Sequence, residues 1–242
     1  MKSTSEVGHA KNVANLNDLI SFADSYGAAY NPTKASLKLA ALKQLAIEAQ
    51  TDLTNVINKG VAYNNAVNVR GEAFYTLPAF ATRVMNSLKA TDASPELIKD
   101  AQSFNRKLQG GRAKPKPPVD PNATPPASNS TSQQSFDQKV QHFEGLIAVA
   151  DSEESYDPGE DDLKVAGMSA RLADYIAKNK AVDTAFADLS NARLSRDANL
   201  YKTSVGLVDV AKAVKAYIKS VYGAKSPEYA QVSPIRFKLI SK

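Results

Sequence analysis

A chain of 242 residues, 43% hydrophobic and 23% charged, has the composition of a soluble globular protein and is long enough for two cores. It contains no cysteine, which excludes a disulfide framework, a thiol nucleophile and a thiolate metal site. The net charge of +5 is unevenly spread: residues 136–165 hold 2 Lys/Arg against 9 Asp/Glu, whereas residues 166–242 hold 13 against 6. A dipolar second half of this kind favours charged partners or head-to-tail self-association.

Residues 1–10 lack the apolar run and small-residue cleavage pattern of a secretory signal, and no stretch approaches the roughly 20 apolar residues that span a bilayer. A cytoplasmic location without membrane contact is the expectation. Apolar spacing then predicts helices over 10–27, 33–63, 67–91 and 95–108. Asn31-Pro32 sets a capping side chain before a proline at a helix start, and Ser94-Pro95-Glu96 does the same for the short last helix. Gly71 supports the break between the second and third helices, and Pro78 kinks or restarts the third. Residues 110–135 follow as a Pro-rich stretch, expected to be a semi-rigid, solvated spacer. Ser135 and Gln138 fit a capping box that opens a second series of helices, over 136–152, 159–189, 194–222 and 227–239.

The second series repeats the first. Tyr30 to Tyr75 aligns without a gap to Tyr156 to Tyr201, matching Val56 with Val182, Asn65-Ala66 with Asn191-Ala192, and Arg70 with Arg196. Ser94-Pro95-Glu96 returns as Ser226-Pro227-Glu228. A duplicated unit predicts the architecture directly. The expected fold is all-α, with two tandem homologous four-helix bundle-like units (1–109 and 136–242) joined by the Pro-rich linker. Each half is then expected to fold alone, and to bind its partner more weakly than the linked pair does.

The shared polar residues Arg70 and Arg196 suit either an anion site in each repeat, through bidentate pairing with carboxylate or phosphate, or a structural pin between helices. The structural role is favoured, since duplicated units preserve folding residues first. Tyr201 precedes a basic stripe of Lys212, Lys215 and Lys219 at spacings of three and four, the pattern of either a solvated face or a nucleic-acid surface. The acidic run 151–162 lacks the alternating oxygen-ligand spacing of a calcium loop. His9 and His142 have no companion ligands, and no catalytic triad order, P-loop, dinucleotide fingerprint or zinc-protease motif is present. No catalytic residue, cofactor, metal or small-molecule substrate is therefore expected. The expected function is non-enzymatic: a bivalent binding or scaffold protein with a protein partner or a second copy. The alternative is a nucleic-acid-associated protein using the basic stripe and the basic linker.

The N-terminal stretch Glu6 to Asn15 and the Tyr-Asn/Asp-Pro turn resemble a family of small, uncharacterised helical proteins of Bacteroidota. The resemblance implies a helical fold and a bacterial cytoplasm, and it adds no functional residue.

Overall fold

The computed structural model describes residues 8–110 and 134–240. Among these it shows eight α-helices, two short 3-10 turns and no strand, in agreement with the all-α expectation. The helices are α1 (His9–Ser25), α2 (Leu39–Tyr75), α3 (Leu77–Lys89), α4 (Pro95–Leu108), α5 (Phe136–Asp151), α6 (Val165–Tyr201), α7 (Leu207–Tyr222) and α8 (Pro227–Val232). The Pro-rich stretch between Gly110 and Gln134 lies outside the described residues.

Local chemistry sets several of the helix starts. Ser94, Ser135 and Ser226 each accept a hydrogen bond from the backbone N–H three residues on, at 3.1–3.2 Å, satisfying one donor that a helix start leaves orphaned.

The break expected near residues 63–67 and 189–194 is absent. α2 and α6 are each 37 residues long and run uninterrupted through Gly71 and through Ser190-Asn191. An exposed glycine costs a helix interior about 1 kcal/mol, too little to end a helix whose adjacent turns are packed. The chain breaks instead where the backbone leaves no choice. Pro78 lies in the first turn of α3 and cannot continue α2. After α6, Ser204 takes a left-handed φ of 68°. A Cβ on Gly206 would lie 2.6 Å from the Lys202 nitrogen, so only glycine fits that turn.

Two more boundaries differ from expectation. α2 and α6 begin at Leu39 and Val165, because Pro32 and Pro158 belong to an irregular turn instead. In that turn the Tyr30 hydroxyl donates to the Leu37 carbonyl (2.7 Å), and Tyr156 donates to Leu163 (2.9 Å). Burial pushes the tyrosine pKa up in both, to about 12 for Tyr30. α8 ends at Val232 rather than 239, and the chain beyond it lies along α1. There Asn12, only 3% exposed, donates to the Lys238 carbonyl (2.7 Å) and accepts from its N–H (3.1 Å). Asn15 donates to the Arg236 carbonyl (2.7 Å).

The contacts delimit two compact units that differ from the expected halves 1–109 and 136–242. One comprises residues 1–63 with 185–242, the other residues 64–184. Because α2 and α6 do not break, each contributes to both units. In the first unit, Leu16 and Leu19 of α1, Leu42 of α2, Leu200 of α6, and Leu207 and Val214 of α7 are all fully buried in one cluster. In the second, Leu77 and Leu88 of α3, Phe143 and Leu146 of α5, and Met168 of α6 are likewise fully buried, and Phe74 packs on Tyr175 at 4.4 Å between ring centroids. Each such side chain contributes about 1.5–3 kcal/mol by leaving water.

Candidate functional site

Of the polar residues singled out in the sequence, Arg196, Tyr201, Lys212, Lys215 and Lys219 belong to the first unit and Arg70 to the second. Arg196 donates through Nε and Nη2 to Asp197 Oδ1 at 2.9 and 2.7 Å, with both side chains less than one-fifth exposed. The Tyr201 hydroxyl lies 2.7 Å from His9 Nδ1 and accepts from Asn12 at 3.4 Å. Burial, followed by the charge of Arg196, holds the His9 pKa below its ordinary value, while burial raises that of Tyr201. The structure thus gathers Arg196 and Tyr201 at one contact of α1 with α6, where the guanidinium is already neutralised. Arg70 differs. Its guanidinium carbon sits 4.1 Å from the centroid of the Phe136 ring, and its buried Nε has no acceptor among the described residues. Gly71 follows it where Asp197 follows Arg196.

The lysine stripe on α7 is not three equivalent cations. Lys215 donates to the Ser233 and Ile235 carbonyls at 2.8 and 2.7 Å, and burial lowers its pKa. It holds the chain that follows α8. Lys212 reaches Asp209 at 3.3 Å, and Lys219 lies 5.6 Å from the Tyr229 ring centroid. In the acidic run, Asp162 takes both terminal nitrogens of Arg83 (2.6 and 3.2 Å) and Asp161 takes Lys164 (2.7 Å). Those hydrogen bonds hold both carboxyls below the usual range. Among the described residues no group of three or more His, Asp or Glu is placed to hold a metal ion. No helix among them is long and apolar enough to cross a membrane.

The sequence reading missed the least ordinary surface. Along α2, Ile47, Gln50, Thr54, Ile57 and Val61 recur at alternating intervals of three and four, the spacing of a coiled-coil seam. In a helix packed on its own core such a seam is buried, yet Ile47, Ile57 and Val61 are 61%, 64% and 55% exposed. Beside the seam runs a groove of about 540 Å³ lined by Asn17 and Ile20 of α1 and by Lys43, Ala46, Ile47, Gln50 and Thr51 of α2. A second, more polar recess of about 380 Å³ continues from Gln50 and Thr51 to Asn58. It includes Asp52, which accepts from Ser195 (3.1 Å) and Asn199 (2.5 Å).

The gapless sequence pairing of residues 30–75 with 156–201 supplies an internal comparison. The positions of α6 that align with Ile47, Gln50, Thr54, Ile57 and Val61 carry Ala173, Ile176, Lys180, Asp183 and Ala187. All five are exposed, and the two at the centre are charged, as a solvated helix face ordinarily is. The same central positions of α2 are exposed without charge.

Compared with models of protein families, with characterised proteins and with solved structures, the chain gives no match.

Proposed function

We propose that this protein is a non-enzymatic binding or scaffold protein, and that its docking face is the exposed seam of α2 from Ile47 to Val61. One observation carries the reading: three branched aliphatic side chains stand more than half exposed at coiled-coil spacing, where the aligned face of α6 has Lys180 and Asp183. Exposed aliphatics in a row, flanked by uncharged Gln50, Thr54 and Asn58, lose little on dehydration and gain by burial. Two heptads of such a seam fit another helix of the same pattern. The occupant is α2 of a second copy. An uncharged face has no like charges to bring together, and so is compatible with itself across a two-fold axis. A single pair of short helix faces sits near or below the roughly 1,200 Å² of a stable interface, so the association is weak and concentration-dependent.

In an antiparallel pair the axis passes by Thr54, the middle of the seam. The chain has no cysteine of its own, so Thr54→Cys creates a unique thiol there. Mild oxidation at high protein concentration should link T54C into dimers, and should leave Lys180→Cys, the aligned position on α6, largely monomeric. Equal, slow cross-linking of both variants would reject the α2 seam as the contact.

A further inference from the structure

We infer that the two halves of the chain, 8–110 and 134–240, are binding partners for one another: each is an open surface that the other half completes. This goes beyond the docking face on α2 and does not depend on it.

The first unit is assembled from both halves. α1 and the start of α2 supply Leu16, Leu19 and Leu42, and α7 supplies Leu207, Val214 and Ile218, all fully buried against one another. The second unit is divided in the same way, with α3 and α4 from one half and α5 and the start of α6 from the other. There the α4–α5 crossing is so close that a Cβ on Gly145 would run into the Phe104 ring. Polar contacts join the halves in both units: Asn12 to the Lys238 backbone and Tyr26 to the Glu228 carbonyl in the first (the latter at 2.9 Å), Arg83 to Asp162 in the second. Taken apart, each half would present fully buried leucines, valines and aromatics to water as contiguous faces, which a stable monomer does not tolerate.

The ends of the segment between the halves lie side by side. Gln134 donates through Nε2 to the Lys107 carbonyl at 2.7 Å, and a Cβ on Gly110 would be 3.1 Å from Gln134 Oε1. Both ends belong to the second unit. Residues 111–133 thus join two chain ends, Gly110 and Gln134, that are neighbours. Their contribution to assembly is effective concentration, on the order of millimolar for a short tether.

The test uses the whole chain. A specific protease site is placed within 111–133, and the protein is cut after it has folded. The cut protein should sediment as one particle of the uncut mass with unchanged helical circular dichroism. Its urea midpoint should rise with protein concentration more steeply than that of the uncut chain, as for a two-chain complex. Two half-mass species, each helical and each unfolding independently of concentration, would overturn the inference. A second measurement needs no cut. Leu16→Ala in the full chain should speed amide hydrogen exchange in 207–222 and leave 77–108 unchanged. Loosening of 77–108 instead would restore independent halves.

Discussion

Replacing Gly71 and Gly145 by alanine, one at a time, should move stability in opposite directions. Both glycines lie inside helices, α2 and α5, so alanine removes the same backbone entropy penalty in each and brings about 1 kcal/mol of stabilisation. At Gly71 the new methyl meets nothing within 4 Å, and the gain stands undiminished. At Gly145 it falls 2.5 Å from Phe104 Cζ and 2.8 Å from Cδ1. The ring edge must therefore retreat by about 1 Å to regain ordinary contact, and overpacking of this kind costs about 1–3 kcal/mol. G71A should thus be stabilised by about 1 kcal/mol and G145A destabilised by up to about 2, a separation of about 1–3 kcal/mol. At the size of this protein that is about 2–4 °C in Tm per kcal/mol. Urea unfolding followed by circular dichroism at 222 nm measures both variants on one scale. Equal stabilisation of G145A and G71A would refute the close α4–α5 crossing.

Two further outcomes follow from buried polar groups. His142 is 4% exposed with no partner for Nε2 among the described residues, and burial, then the charge of Lys107, holds its pKa below the ordinary value. Its neutral form is the folded one. Stability is therefore full above the unfolded pKa of about 6.5 and falls as pH drops from there toward the lowered folded pKa. Urea titrations at pH 5 and 7.5 should show a smaller loss for His142→Gln than for the wild type, and identical losses would remove His142 as a cause. On α7, Lys215→Met should cost about 1–3 kcal/mol, since two carbonyls lose a charged donor. It should also speed exchange in 233–240, while Lys212→Met, whose ion pair is exposed, stays within about 1 kcal/mol of wild type. Similar exchange in the two variants would contradict the role given to Lys215.

What was legible in advance was the local physics. The serine caps at Ser94, Ser135 and Ser226 need only a side chain and the next turn of backbone, and all three formed. Pro78, expected to kink or restart the third helix, lies in the first turn of α3, just after α2 ends at Tyr75. Gly71 misled because helix propensity differences of about 1 kcal/mol yield to packing on either side. Gly206 went unread because the demand for glycine arises from the Lys202 backbone folding back, which no spacing rule reports. Lys215 looked identical to Lys212 and Lys219 in a stripe, and only the path of the chain after α8 separates them. The α2 seam was present as a pattern, but aliphatics at 3-4 spacing normally mean a buried face. Its exposure is a property of what packs elsewhere.

The amino-acid sequence alone determined that this protein is all-α and where four of its eight described helices begin, α1, α4, α5 and α8, because periodicity, caps and prolines act within a few residues. Tertiary structure alone decided which apolar face meets which. Amphipathic periodicity marks the side of a helix that must leave water, yet burial is non-directional, and any complementary face will satisfy it. Two continuous helices carried the choice. With α2 and α6 unbroken, the cores closed across the two halves of the chain instead of within each one.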